Sequence, residues 1–241
     1  MHGVFKINIG AIITSILMLA YFGGTSLNDL RNFPHVEQIK GPNDWSCGAA
    51  SLAMLYAYYG IRSKHEAIWN RVQMRNPNNQ QERICKTTLM AQDAKNMGFR
   101  CTIFSVNAIE NVFSQCADRQ LELIFMYRQY PRAVTGHFVL MTNVVNDYIY
   151  INDPYYSERD GTNTKIAINT LPLLMQPRDS GATEHSGQNV ILAFGKPHEK
   201  IRVKASECPY CQEESYEMRA VLEIADMIMC PNCGKRYPVS R

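Results

Sequence analysis

The chain has 241 residues, enough for one full core and a small appendage but for no more than two globular units. Apolar residues make up 46% and charged residues 20%, and there is neither a repeat nor a low-complexity tract, which excludes a fibrous or disordered chain. A net charge of +3 is too small to argue for nucleic acid, and no nucleic-acid partner is expected.

Residues 7–24, INIGAIITSILMLAYFGG, carry no charge and come close to the roughly 20 residues of a membrane-spanning helix. They predict a hydrophobic unit over residues 1–26 that anchors the chain in a membrane, with a cleaved secretory signal, and hence a secreted protein, as the alternative. Lys6 on one flank and Arg31 and Lys40 on the other give the basic-residue rule no preferred side. Residues 25–37 read as a polar linker in which His35 is an exposed loop histidine; His2, His65, His185 and His198 are also read as surface residues.

Residues 38–60, QIKGPNDWSCGAASLAMLYAYYG, are the stretch around which the rest is organised. A turn-rich lead-in runs into Cys47-Gly48, after which small and apolar residues follow at helical spacing up to Gly60, so Cys47 is expected in the first turn of a buried helix. A helix N-terminus carries unpaired N–H groups and roughly half a positive charge, which favours the thiolate, the nucleophilic form of cysteine.

Residues 63–75 predict a second helix, opened by a capping box of Ser63 and Glu66, and residues 76–83, NPNNQQER, a polar surface loop bordering the cleft. A third helix is expected from Thr87 or Thr88 through Met97 with Gly98 as its stop, then a strand over 99–106, a helix over 107–117 and a strand over 121–126. Residues 136–141 open a further strand with His137 at its start, and residues 148–151 make a second that ends in Asn152-Asp153-Pro154. In such a hairpin the two ends are neighbours, so Asp153 can accept a hydrogen bond from one ring nitrogen of His137 and leave the other for a thiolate. Cys47, His137 and Asp153 then stand as nucleophile, base and orienting group. A short helix over 171–175 and a strand over 190–194 complete an α+β pattern of helices followed by antiparallel strands.

Gln38, Cys47-Gly48, Gly136-His137 and Asn152-Asp153-Pro154, in that order, resemble the papain-like cysteine peptidases that process double-glycine leader peptides of bacteriocins, over roughly residues 34–195. The resemblance implies a papain-like fold with N-terminal helices packed on an antiparallel sheet, and a cysteine endopeptidase acting on a peptide or protein substrate such as a leader or precursor. It further implies that Gln38 donates to the oxyanion together with the backbone N–H of Cys47. A catalytically silent peptide-binding module and a peptidyl or acyl transferase using the same triad stay open as alternatives.

Beyond a break at 195–198 stand Cys208-Pro-Tyr-Cys211 and, eighteen residues on, Cys230-Pro-Asn-Cys233-Gly234. Two such knuckles predict a zinc ribbon over 205–241, in which Cys208, Cys211, Cys230 and Cys233 hold one structural zinc ion. From residue 196 onward eight Lys/Arg face seven Asp/Glu, a balance that points to a protein partner for the ribbon rather than nucleic acid. Cys85, Cys101 and Cys116 are scattered, as in a reduced protein, although a bridge among them stays open.

Overall fold

A computed structural model describes residues 31–41, 44–77, 79–129, 136–175 and 189–239. The expected membrane segment at 7–24 lies outside them; among the described residues no helix is long and apolar enough to cross a membrane.

Helix α1 (Cys47–Tyr58) is buried from Cys47 through Tyr56. A helix apolar on every side belongs inside a core, and here Ala49, Ala50 and Ala53 bring neighbouring elements close. Helix α2 (His65–Val72) and helix α3 (Thr87–Asn96) pack beside it. The buried Asp93 of α3 ties the three together: it accepts Tyr56 Oη at 2.9 Å and Arg71 Nε at 2.5 Å. Gly98, at φ +90°, ends α3 in a left-handed turn in which Phe99 N–H reaches Ala94 O at 3.0 Å.

The main sheet is antiparallel throughout and ordered β14-β13-β5-β10-β6-β7-β8-β9. Its strands are β5 (Arg100–Ser105), β6 (Glu122–Tyr127), β7 (His137–Val145), β8 (Tyr148–Asn152), β9 (Thr164–Ala167), β10 (Ile191–Gly195), β13 (Met227–Met229) and β14 (Arg236–Pro238). Both faces are covered, so the central strands read as apolar runs instead of alternating. Ile124, Met126, Phe138, Leu140, Leu192 and Phe194 face α1, α2 and α3. Leu123, Phe125, Val139, Ile191 and Ala193 face helix α4 (Val112–Asp118) and helix α6 (Leu171–Met175) on the other side. A one-turn helix, α5 (Glu158–Gly161), joins β8 to β9.

Three local expectations are corrected. The second helix stops at Val72: Lys64 precedes it without a side-chain cap, and Ser63 Oγ instead receives Arg71 Nη2 at 3.4 Å. Asn76 and residues 79–83 are strand and not loop. Strand β3 (Gln73–Asn76) and strand β4 (Asn79–Cys85) form a hairpin that joins the strand pair β1 (Lys40–Gly41) and β2 (Asp44–Trp45) through parallel pairing of Trp45 with Ile84. The helix over 107–117 begins only at Val112, and the N–H of Asn107 is bound by Asp226 Oδ2 at 2.7 Å.

That last contact reaches into the C-terminal segment, which does not stand apart from the rest. Hairpin β11 (Val203–Glu207) and β12 (Glu214–Met218) is followed by the short helix α7 (Arg219–Leu222), and then β13 pairs with β5, setting Ile228 opposite Phe104. Met218, Val221, Ala225, Ile228 and Tyr237 belong to the same buried cluster as Phe104 and Phe125. Sheet hydrogen bonds therefore cross the boundary expected between residues 195 and 205. Ile228→Asp should lower the melting temperature of the whole chain by roughly 10 °C, the effect of about 3 kcal/mol of burial penalty, in one cooperative calorimetric transition. A separate low-temperature transition with the main one unmoved would show instead that the segment melts as an independent unit.

Candidate active site

The start of α1 carries the candidate nucleophile. Cys47 is buried, and the Ser46 hydroxyl before it does not cap the helix but accepts Ile39 N–H at 2.7 Å. The first turn leans instead on Cys85 at the end of β4, whose sulfur accepts Ala49 N–H at 3.3 Å. Gly48 allows that approach: a Cβ there would lie 2.9 Å from Cys85 Cβ and 2.6 Å from Met90 Sδ.

The start of β7 carries the candidate base. His137 Nε2 lies 2.6 Å from Asp153 Oδ1 just beyond β8, and the Phe138 backbone N–H points to Cys47 Sγ at 3.5 Å. With Nε2 committed to the carboxylate, Nδ1 is the ring nitrogen left for Cys47, with which His137 shares a cavity. Asp153 is fully buried and amply satisfied: Oδ1 also accepts Tyr155 N–H at 2.9 Å, and Oδ2 accepts Tyr127 Oη at 3.1 Å.

These contacts set the charge states. Burial alone would push the Asp153 carboxyl up, but the hydrogen bonds and charge of His137, then Tyr155 N–H and Tyr127, bring it below its ordinary range. Burial likewise lowers His137, and the hydrogen bonds to Asp153 and Cys47 with their charges outweigh it, raising the imidazole to about 9. Burial and Asp153 push the Tyr127 phenol up, so it stays a hydrogen-bond donor. Cys116, buried in the core, is raised to about 12, and Cys85 and Cys101 are also raised by burial; all three are free thiols.

Gln38 lies beside this group. Its N–H bonds Pro154 O at 2.9 Å, the next residue bonds Ser46, and its side-chain Oε1 is buried without a hydrogen-bond partner. The expected residues Cys47, His137, Asp153 and Gln38 are thus gathered at one end of α1. Tyr127 was not anticipated: it stands directly across the sheet from His137, a pairing that an apolar strand sequence does not announce. His65 corrects its surface reading, since it is half-buried with Nε2 enclosed and unpartnered, and burial lowers its pKa. His35 is half-buried too, with Nε2 3.0 Å from Tyr156 O.

Cys47 and His137 share a cavity of about 60 Å³ with Trp45, Asn76, Glu82, Ile84, Cys85 and Met126, so the β3–β4 hairpin walls the cleft. A larger cavity of about 650 Å³ lies elsewhere, between the end of α3 and β12.

The four C-terminal cysteines converge as expected. Their sulfurs all lie within 4.8 Å of one another, with Cys208 to Cys233 and Cys211 to Cys230 each at 3.7 Å. A tetrahedron of thiolates about 2.3 Å from a central zinc ion has edges of about 3.8 Å, so the set fits one four-coordinate ion.

A model of the peptidase C39 family matches residues 33–171. Among solved structures, a double glycine motif protease from an AMS/PCAT transporter, in complex with its leader peptide, is 19% identical; the match covers 71% of this chain and 96% of that one at a TM-score of 0.46. A C39-like peptidase from Bacillus anthracis is 16% identical over 70% and 96%, at 0.47. The peptidase domain of Streptococcus ComA, a bifunctional ABC transporter of a quorum-sensing pathway, is 18% identical over 68% and 97%, also at 0.47. No curated protein matches the chain.

The raised imidazole has a sign that stability can test. A folded-state value of about 9 against 6.5 unfolded contributes stability that is complete below pH 6.5 and lost as pH rises through about 9. Urea unfolding should therefore lose up to about 3 kcal/mol between these limits, and His137→Gln should remove that decline. An identical decline in both proteins would place its origin elsewhere.

Proposed function

The chain belongs to the peptidase C39 family, a family of cysteine peptidases, and from that premise we propose that it is a cysteine endopeptidase acting through Cys47, His137 and Asp153. The observation that carries the reading is the chain of hydrogen bonds from Tyr127 through Asp153 to His137, which stands beside Cys47 in one cavity. A structural core needs no such chain.

In the proposed reaction the thiol proton already rests on His137 Nδ1, as the raised imidazole requires, and the Cys47 thiolate attacks the scissile carbonyl. Asp153 holds the ring with its Nε2–H toward the carboxylate, so the proton moves only on the thiol side. The oxyanion is received by the Cys47 N–H at the helix end and by the Gln38 side-chain amide. The tetrahedral intermediate collapses as His137 protonates the leaving amine, and water then releases the acyl group from sulfur. The substrate we assign is a leader or precursor peptide. Residues 7–24 would hold the enzyme at a membrane, next to a precursor in transit.

Cleavage of a precursor-derived peptide library, read by mass spectrometry, tests the activity. Cys47→Ala and His137→Ala should each lower kcat/KM by about 10³-fold or more. Limiting iodoacetamide should label Cys47 ahead of Cys85 and Cys116, and His137→Ala should erase that lead. A labelled Cys47 with no cleaved peptide would favour the silent peptide-binding module.

We also propose that Cys208, Cys211, Cys230 and Cys233 hold one structural zinc ion. Four thiolates leave no open position, so this zinc would take no part in catalysis. Elemental analysis should find about one zinc per chain, and Cys233→Ser or a strong chelator should lower the melting temperature of the whole chain, because the knuckles carry the hairpin that pairs with β5. Disulfides in place of the ion would leave the melting temperature insensitive to chelation.

A further inference from the structure

The hairpin that walls the nucleophile's cavity sorts its charges by face. Residues two apart in β4 share a face, and Glu82 and Ile84 both line the cavity with Cys47. Arg83 between them is exposed, stands opposite Arg75 and donates to Gln73 Oε1 at 2.9 Å. The hairpin thus turns its cations away from the nucleophile and one anion toward it.

Glu82 is half-buried. Its Oε2 accepts Asn76 Nδ2 at 2.9 Å, and no cation among the described residues makes an ion pair with it. Trp45, in the same lining, keeps 40% of its surface exposed, which leaves an aromatic face for a ligand. A carboxylate in this place works against the chemistry, because acyl transfer at Cys47 builds an oxyanion beside it and like charges repel. The hairpin does not need the charge either, since a glutamine oxygen would accept the Asn76 hydrogen bond equally well. A cation brought by the substrate would cancel the repulsion, and an aromatic face next to a carboxylate is a pairing that holds ammonium and guanidinium groups.

We infer that Glu82, Asn76 and Trp45 form a subsite for a cationic group of the substrate peptide, an inference that rests on the peptidase reading of the same cavity. The cation is either a lysine or arginine side chain near the scissile bond or the peptide's own α-ammonium group. A cavity of about 60 Å³ admits the charged end and not a whole long side chain, so the stem lies along Ile84 and Trp45 at the mouth.

Methanethiosulfonate reagents of opposite charge read this subsite without any peptide cleavage. The full chain and its Glu82→Gln variant are treated with the cationic aminoethyl and the anionic sulfonatoethyl reagent, and modification of Cys47 is followed by peptide mapping. The cationic-to-anionic rate ratio should fall roughly fivefold in Glu82→Gln, as for loss of one partly exposed charge pair. Equal ratios in the two proteins overturn the inference. Matched peptides then separate the sources. If replacing a lysine near the scissile bond by norleucine lowers kcat/KM in the native chain but not in Glu82→Gln, the side chain is the ligand. If N-acetylation does so, the ligand is the α-ammonium group, and if neither does, the substrate role falls. Absence of all cleavage alongside the expected reagent ratio would remove the peptidase reading while leaving the cation site in place.

Discussion

A carboxylate with no solvent access is tolerated only if its lone pairs are filled, and Asp153 fills them from three directions. The phenol of Tyr127 comes from β6, the ring of His137 from β7, and the N–H of Tyr155 from the turn that the carboxylate itself caps. Each partner is thereby fixed in rotamer and depth. The neighbouring Pro154 carbonyl takes the Gln38 N–H, so the segment leading to Cys47 is tied to the same turn. One desolvated charge sets the positions of most of the groups that chemistry at Cys47 would use, and losing any donor would leave the others facing an unpaired anion.

The parts of this arrangement that were legible in the sequence are those with a local signature. Cys47-Gly48 before a run of small residues announces a helix start, and a histidine opening one strand with an aspartate closing the next announces a hairpin pair. The α+β pattern of helices followed by antiparallel strands follows from the same periodicities, whereas the papain-like arrangement was implied by the family resemblance, with which the family match and the sheet agree. Tyr127 was illegible because its role depends on which strands become neighbours, and pairing of β6 with β7 leaves no mark in either strand. The β3–β4 hairpin was illegible for another reason. A largely exposed strand pair buries little apolar surface, so QMRN and NQQERIC show no period of either kind. Met74, Ile84 and Cys85 are their apolar residues, too few to distinguish a strand from the tail of a helix.

The cysteine knuckles were plain in the sequence, but their place in the fold was not. Two CxxC pairs imply a compact unit that a metal could hold together, and a detached ribbon is the natural expectation. The sheet supplies a different constraint. Without β13, strand β5 would lie at an edge and present unpaired N–H and C=O groups above an apolar face. Covering it with a hairpin whose turn carries Cys230 and Cys233, gathered with Cys208 and Cys211 from the β11–β12 turn, protects the edge, and Met218, Ile228 and Tyr237 extend the core outward. Any ion held there would act on the peptidase core through the sheet, a coupling that a flexibly tethered ribbon would lack.

The same economy governs the other end of the molecule. Strand β4 begins at the cleft wall and ends under the nucleophile: Ile84 pairs with Trp45, and one residue later the Cys85 sulfur takes the Ala49 N–H and fills the space left by Gly48. The wall and the helix start therefore cannot shift independently, because a slip of β4 by one residue would put Ile84 where only a small polarisable sulfur fits. A free thiol suits that post. It accepts the helix N–H groups, and its burial keeps it protonated, so it places no second full negative charge beside Cys47. An aspartate in its place would cap the same N–H groups but would spend the positive end of the helix on its own charge. The choice of cysteine at position 85 leaves that field for the oxyanion, which is where a thiol peptidase needs it.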